Sequence, residues 1–207
     1  HFATADEGEL GYANAQLSKF NKIIELSREL DIHFKYIHCS NSGAILNLPD
    51  SYFNTIRVGM LLYGSAPSKD VLMNIEVEPV MSFCGPIINV RKVKKGTQVS
   101  YGGVYKTNQI SNIAVIQTGF ADGFPRPWYE KGYVSYKGSH YKIAGRVCMD
   151  QLMVDFKDEE PKIGEEVLFF GKKNNDFISI ETIAEEIETT TYVLLTAIHG
   201  RTEHVLI

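Results

Sequence analysis

Long hydrophobic runs, runs of basic residues and a paired set of cysteines are all missing from this sequence of 207 residues. Without an apolar stretch of about 20 residues there is no candidate membrane span, and no secretory signal pattern opens the chain. The net charge of −4 argues against nucleic acid as the main partner. Cys39, Cys84 and Cys148 are odd in number and widely spaced. They indicate reduced thiols in the cytoplasm rather than a disulfide framework or a zinc site.

The first third of the chain alternates helix and strand patterns. Apolar residues at helical spacing predict an amphipathic helix over residues 12–30, and a polar turn around Ser42 leads into a second helix that Pro49 ends. Residues 34–38 and 55–62 predict strands, the second of them buried on both faces. This alternation is typical of a parallel α/β sheet or barrel.

Two strands cannot close a barrel. The chain also begins at His1, without a methionine and without a polar, disordered lead-in. We therefore expect it to be a piece of a larger protein.

From about residue 78 the pattern changes to short strands separated by glycine-containing turns, which predicts an antiparallel β domain. Near its end, Ser179 is a good N-cap for a helix that carries Glu181 in its first turn. The predicted strands cover residues 79–93, 112–117, 133–136, 141–143, 152–155 and 167–170.

Several polar residues are candidates for a site, and each also has an ordinary structural explanation. Ser42 could bind a phosphate with adjacent backbone amides, or simply cap a helix. Arg57 lies in an apolar run, so it needs an acceptor, and an ion pair would serve as well as a ligand. His38 could be a buried structural histidine. Tyr101 precedes two glycines, where a tyrosine usually packs in a turn.

Six segments together resemble the alanine racemase family, in order and in spacing, and they cover nearly the whole chain. The matching runs are His1-Phe2-Ala3-Thr4-Ala5-Asp6-Glu7, His38-Cys39-Ser40-Asn41-Ser42, Arg57-Val58-Gly59, Val99-Ser100-Tyr101-Gly102, Gly119-Phe120-Ala121-Asp122-Gly123 and Gly145-Arg146-Val147-Cys148-Met149-Asp150-Gln151. The resemblance implies an α/β plus β fold class. Residues 1–77 would be the C-terminal portion of a (β/α)8 TIM-type barrel, and residues 78–207 a mainly antiparallel β domain.

The resemblance also implies a cofactor, pyridoxal 5'-phosphate. Ser42, with the backbone of Gly59 and Met60, would hold its phosphate. Arg57, oriented by His38, would contact the pyridine nitrogen. Arginine is a poor proton donor, so this nitrogen would stay unprotonated, which suits proton exchange without transamination.

In this family a tyrosine that corresponds to Tyr101 exchanges the Cα proton on one face of the substrate, and the cofactor lysine serves the other face. An ordinary phenol has a pKa of about 10, so such a tyrosine needs a partner, and the histidine that hydrogen-bonds it corresponds to His1. Met149 would offer backbone to the substrate carboxylate. Tyr101 would act across a homodimer interface. The residues expected to line the access channel are Asp6, Phe120, Arg126 and Arg146.

The chain departs from the family pattern in three respects. The motif that carries the lysine would precede His1, so the chain as given is expected to be inactive alone. Phe120 stands where tyrosine is common, and Gly200 stands where the family often has a tyrosine that touches the phosphate. A wider pocket would weaken discrimination between alanine and serine.

Three alternatives therefore stay open beside an isomerase that supplies cell-wall D-alanine. One is a serine or broad-specificity small amino acid racemase. Another, ranked lower, is a fold-related pyridoxal-phosphate decarboxylase of basic amino acids. The third is a non-catalytic dimerisation module.

Overall fold

Contacts within the chain divide it into two units, which we describe separately. In the computed structural model, which describes residues 1–206, the first unit is His1–Val80 and the second begins at Met81. Across residues 1–206 no helix combines the length and the hydropathy that crossing a membrane requires.

The first unit contains two α-helices, α1 (Gly11–Glu29) and α2 (Ser42–Asn47), and short 3-10 helices at Pro49–Ser51 and Met60–Tyr63. Both predicted helices are confirmed. One apolar face of α1 packs into a small core, whereas its other apolar side chains are exposed. The buried residues of this core are Phe2, Ala5, Ala13, Leu17, Cys39, Ala44 and Leu48.

The two strands predicted in this unit are wrong for the described structure, which assigns no strand within residues 1–80. The side-chain amide of Asn54 takes the place of a strand neighbour, since it accepts from Ile37 N (2.8 Å) and donates to Lys35 O (3.1 Å). The predicted burial of residues 55–62 also fails, because Ile56 is 42% exposed and Leu62 65% exposed.

The second unit is built on short strands. They are β1 (Phe83–Val93), β2 (Gln98–Val99), β3 (Tyr105–Lys106), β4 (Ser111–Ile116), β5 (Tyr133–Tyr136), β6 (Ser139–Ile143), β7 (Leu152–Asp155), β8 (Glu166–Lys173) and β9 (Asp176–Ile178). Two helices follow, α3 (Ile180–Glu186) and α4 (Thr191–Ala197). As predicted, the Ser179 hydroxyl caps α3 by accepting from Thr182 N (3.3 Å).

Six of these strands close into an antiparallel barrel, in the order β1-β4-β7-β6-β5-β8 and back to β1. Closure pairs the edges that an open sheet would leave free. The predicted antiparallel β domain is confirmed, and the predicted bounds of β5 and β7 match the structure. The largest fully buried side chains are Trp128, Phe124, Phe156, Phe169, Ile87, Ile116, Ile143, Leu152, Leu168, Ile178, Ile183 and Val134.

A separate two-stranded hairpin, β2–β3, is the smaller feature of this unit. Val99 pairs with Tyr105 and Gln98 pairs with Lys106, and a 3-10 turn at Tyr101–Gly103 joins the strands. Neither strand was predicted, because two residues are too few to show an alternation of apolar and polar side chains.

Candidate functional site

In the first unit, the guanidinium of Arg57 lies between two histidines. Its Nη1 atom donates to Nδ1 of His38 (2.5 Å) and its Nη2 atom donates to Nδ1 of His1 (2.8 Å). Because both Nδ1 atoms accept, both rings carry their hydrogen on Nε2 in this arrangement. The structure therefore brings together three residues that the sequence had singled out, and it fixes the plane of the arginine.

The segment that presents Arg57 is held by backbone contacts rather than by a ladder of strands. Arg57 N donates to Ser40 O (3.0 Å), and Arg57 Nη2 lies 3.4 Å from Cys39 O. Ser40 is in turn fully buried, where its hydroxyl donates to Ser51 O (2.6 Å). The buried, hydrogen-bonded Ser40 thus fixes the carbonyl to which the backbone of Arg57 is bonded.

A second feature of the first unit is the convergence of backbone amides on Ser42. Its buried Oγ atom accepts from Gly59 N (3.0 Å) and, at longer range, from Leu61 N (3.4 Å). Met60 begins the 3-10 helix between these two donors. Two N–H groups and a hydroxyl that meet at one point are a donor set suited to an anion such as a phosphate.

The simpler interpretation of Ser42, that it is the N-cap of its helix, is wrong. The N-cap of α2 is Asn41, whose Oδ1 atom accepts from Ala44 N (3.0 Å). Capping by Asn41 leaves the Ser42 hydroxyl available for the amides of Gly59 and Leu61. Beside it, Gly43 packs directly on Ala5, where a Cβ atom would come within 2.8 Å of backbone.

In the second unit, Tyr101 stands at the end of the β2–β3 hairpin and is 70% exposed. Gly102 follows it with a φ of +74°, a conformation that side chains rarely adopt. The guanidinium of Arg146 lies close by, 3.6 Å from where a Cβ atom on Gly102 would stand. Arg146 therefore lies beside the turn that carries Tyr101.

Two further predicted residues, Phe120 and Met149, lie on adjoining turns. Phe120 N donates to Cys148 O and Ala121 N donates to Met149 O, both at 3.0 Å. The Arg126 guanidinium lies over the Phe120 ring, 5.6 Å from its centroid. Phe120, Arg126 and Met149 thus form one cluster, whereas Asp6 belongs to the first unit.

Arg201 joins this cluster and was not predicted. Its Nε atom donates to Asp122 Oδ1 (2.6 Å), and its Nη2 atom donates to Asp150 Oδ1 (2.7 Å). The hydrogen bonds to the two carboxylates raise the pKa of Arg201. The sequence feature that could have indicated Arg201 was the presence of an aspartate, Asp122 or Asp150, in each of two glycine-containing family motifs.

A buried carboxylate, Asp155, was also missed. It accepts at Oδ2 from Tyr105 Oη (2.6 Å) and from Lys157 Nζ (2.5 Å), and at Oδ1 from Lys157 N (2.9 Å). Burial raises the pKa of Asp155, but the hydrogen bonds from Lys157 and Tyr105 outweigh it and hold the pKa below its usual value. The sequence gives no sign of this network, because its members are up to 52 residues apart.

A first unit with a histidine–arginine–histidine group and a serine hydroxyl that accepts from two backbone amides, followed by a six-stranded antiparallel barrel, defines a two-part class of protein. Family models agree with that division. The model described as "Alanine racemase, N-terminal domain" matches residues 1–67, and "Alanine racemase, C-terminal domain" matches residues 80–206. The chain belongs to the alanine racemase family, as its six motifs predicted.

Individual relatives support the same assignment. The chain is 38% identical over 210 residues to the alanine racemase of Clostridium novyi (strain NT), covering 100% of this chain and 54% of the relative. It superposes with a TM-score of 0.89, at 36% identity, on alanine racemase of Clostridium difficile 630 in complex with cycloserine, covering 98% of this chain and 53% of that one. The chain spans about half the length of the curated relatives that it matches.

A further solved relative contains a cofactor. Alanine racemase from Bartonella henselae, solved with covalently bound pyridoxal phosphate, gives a TM-score of 0.85 at 26% identity and covers 100% of this chain and 55% of its own.

Proposed function

We propose that this chain is part of a pyridoxal-phosphate-dependent alanine racemase that interconverts L- and D-alanine by two-base exchange of the Cα proton. Membership of the family supports this proposal. The observation that carries it is the convergence of Gly59 N and Leu61 N on the hydroxyl of Ser42, with Arg57 ordered nearby.

The residues of the first unit fit pyridoxal 5'-phosphate. Ser42 and the amides of Gly59, Met60 and Leu61 would bind the phosphate, because hydroxyl and N–H donors suit a dianion. Arg57 would face the pyridine nitrogen. When bound, the cofactor supplies an electron sink that acidifies the Cα–H bond of the amino acid attached to it.

The histidines orient Arg57. Each imidazole accepts from a different terminal nitrogen of the guanidinium, so the group cannot rotate without losing a hydrogen bond. Because arginine is a poor proton donor, a guanidinium in this position would leave the pyridine nitrogen unprotonated.

Tyr101 would exchange the Cα proton on one face of the substrate. A tyrosine acts as a base only when its phenolate is stabilised. His1 is suited to this task, because its Nδ1 accepts from Arg57 and its Nε2–H is left to donate to a phenolate oxygen. In the proposed homodimer, Tyr101 of one subunit serves the cofactor site of its partner.

Met149 would offer backbone to the carboxylate of the small amino acid. The residues that would line the access channel are Asp6, Phe120, Arg126 and Arg146. We place residues 1–77 in the last part of a (β/α)8 TIM-type barrel, which the rest of the protein would complete. We further propose a cytoplasmic enzyme that supplies D-alanine for the cell wall.

Gly200 is relevant to whether the enzyme prefers alanine to serine as substrate. Gly200 has a φ of +74°, and a Cβ atom added there would meet nothing within 4 Å. Because Gly200 has no side chain, the substrate pocket would have room there for the hydroxymethyl group of serine. A broad-specificity racemase is accordingly the second candidate.

The experiment uses the full-length parent protein with added pyridoxal 5'-phosphate. Chiral chromatography should show D-alanine formed from L-alanine and the reverse, at a common equilibrium ratio near one. L-serine is the matched substrate, and the 207-residue chain alone should give no turnover. Absence of alanine interconversion by the parent would refute the proposal, and a dimer without turnover would favour the non-catalytic module. Efficiency ratios for alanine and serine equal to those of an ordinary alanine racemase would exclude the broad-specificity candidate.

A further inference from the structure

The side chain of Tyr101 is mostly exposed, so its own packing does not set its direction. Its position within the second unit must come from the backbone on either side of it. The hairpin that carries it has only two residue pairs, Gln98 with Lys106 and Val99 with Tyr105. A ladder this short is weak by itself, so other contacts must hold the turn.

The base of the hairpin is held by Tyr105. Its hydroxyl donates to the buried carboxylate of Asp155 (2.6 Å), on strand β7 of the barrel. This bond is four residues beyond Tyr101 and across a turn with two glycines. It fixes one strand of the hairpin, but it leaves the turn itself free to tilt.

The turn is held by Ser100, the residue before Tyr101. Ser100 has a φ of +67° and a ψ of 177°, a conformation that costs free energy for any residue except glycine. Its hydroxyl donates to the carbonyl of Arg146 (2.7 Å), and its own carbonyl accepts from Gly103 N (3.0 Å). The strained backbone therefore coincides with a side-chain hydrogen bond that anchors the turn to the segment between β6 and β7.

Gly145 makes this contact possible. It has a φ of +93°, and a Cβ atom built on it would lie 2.6 Å from Ser100 Cβ and 3.1 Å from Val99 O. Only glycine lets the Ser100 backbone approach closely enough for its hydroxyl to reach Arg146 O. The two residues are 45 positions apart in sequence and meet only in the folded unit.

We infer that Ser100 and Gly145 are positioning residues for Tyr101. Their contact selects the one direction in which the hairpin presents the phenol. This inference rests on the proposed function, in which Tyr101 exchanges the Cα proton on one face only. Neither residue touches the substrate in this account, and both act through the backbone of Tyr101.

Gly145→Ala in the full-length parent tests the inference, with Gly164→Ala as its matched control. Gly164 also has a positive φ (+90°), but a Cβ atom there would meet nothing within 4 Å. Both variants therefore place an alanine at a similar positive φ, and only Gly145→Ala pushes against Ser100. A misplacement of about 1 Å lowers rate about 100-fold, so we expect kcat to fall about 10- to 100-fold for Gly145→Ala and to change less than about twofold for Gly164→Ala.

The isotope effect of Cα-deuterated alanine separates positioning from a general loss of folded protein. Displacing Tyr101 should raise this effect for the enantiomer whose Cα hydrogen Tyr101 removes. It should lower the effect for the other enantiomer, because there Tyr101 acts only in the later step that returns a hydrogen to Cα. Loss of folded protein lowers kcat in both directions and leaves both isotope effects unchanged. Ser100→Ala should give the same opposed changes without adding any atoms, and it tests the inference alone if Gly145→Ala does not fold.

Hydrogen exchange of residues 98–106, followed by mass spectrometry in the same parent, needs no turnover. Gly145→Ala and Ser100→Ala should speed exchange of this segment at least fivefold, and Gly164→Ala should not. Unchanged exchange in both test variants, or isotope effects equal to those of the parent for both enantiomers, would overturn the inference. A parent that fails to interconvert alanine but shows the exchange result would refute the proposed function and leave the Ser100 contact established as the anchor of the turn.

Discussion

The hydroxyl oxygen of Ser42 accepts a 3.0 Å hydrogen bond from the amide of Gly59, 17 residues later in the chain. The bond joins the first turn of α2 to the residue before a 3-10 helix, and it gathers the amide of Leu61 at the same point. In the proposed enzyme this point is where the cofactor phosphate binds.

Ser42→Ala removes one donor to a charged group, a change that costs about 1.5–3 kcal/mol. We therefore expect the dissociation constant of pyridoxal 5'-phosphate for the full-length parent to rise about 10- to 100-fold. An absorbance titration of the cofactor-free parent measures it. Ser18→Ala, at an exposed position of α1, is the control and should bind as the parent does. Equal constants for both variants would show that Ser42 has no part in the phosphate site.

The two histidines around Arg57 make a separate prediction about tautomers. Nitrogen-15 NMR of the parent should show His1 and His38 with a bare Nδ1 and a protonated Nε2, because both Nδ1 atoms accept from the guanidinium. Arg57→Lys should relax this preference in at least one ring, since a single ammonium group cannot match the planar fork. Unaltered ring signals in that variant would mean that the arginine does not set the tautomers.

Asp155 predicts a pH-dependent stability for the β domain. Its pKa lies below the ordinary value in the folded state, so its stabilising effect is present above the unfolded pKa of about 3.9 and is lost as the pH falls through the folded pKa. Asp155→Asn should reduce the free energy of unfolding by about 2–3 kcal/mol at pH 7, with a smaller difference below about pH 4.

Urea unfolding at both pH values measures this difference. Asp158→Asn is the matched control, because Asp158 is exposed and accepts from the exposed Gln109 at 3.2 Å. It should change the free energy by less than about 0.5 kcal/mol. A difference between Asp155→Asn and the parent that does not depend on pH would contradict the role given to the carboxylate.

Gly119 allows the Phe120 turn to pack on the turn that carries Met149. A Cβ atom there would lie 2.2 Å from Met149 O, so Gly119→Ala must displace one of the two turns. We expect about 1–3 kcal/mol of destabilisation and a KM for alanine raised more than kcat is lowered. Gly8→Ala, where a Cβ atom would find ordinary contact at 3.9 Å, is the control. Equal kinetics for the two variants would remove Met149 from the substrate site.

Much of the second unit could be predicted from sequence, because its strand-forming runs are short and are separated by turns that contain glycine. The helix after Ser179 followed from a local cap. The strand predictions at residues 34–38 and 55–62 failed because strand-forming residues do not make a strand without a neighbour, and Asn54 bonds the first of these segments instead.

The candidate site, too, could be predicted only in part. Ser42, Arg57 and Tyr101 could be singled out because a hydroxyl, a guanidinium and a phenol stand in family motifs. The contacts that position them could not, since Ser100 with Arg146 and Asp155 with Tyr105 join residues about 50 positions apart through backbone carbonyls and buried carboxylates. Such pairs leave no local pattern.

The exchange of the Cα proton by Tyr101 is tested most directly by the interconversion of L- and D-alanine in deuterated water with pyridoxal 5'-phosphate. The full-length parent is compared with its Tyr101→Phe variant. General acid–base catalysis by a positioned side chain contributes about 100- to 10,000-fold. We expect the parent to racemise alanine with deuterium entering at Cα. We expect Tyr101→Phe to lose racemisation by a factor in that range while still binding the cofactor. Undiminished racemisation by Tyr101→Phe would contradict this role of Tyr101.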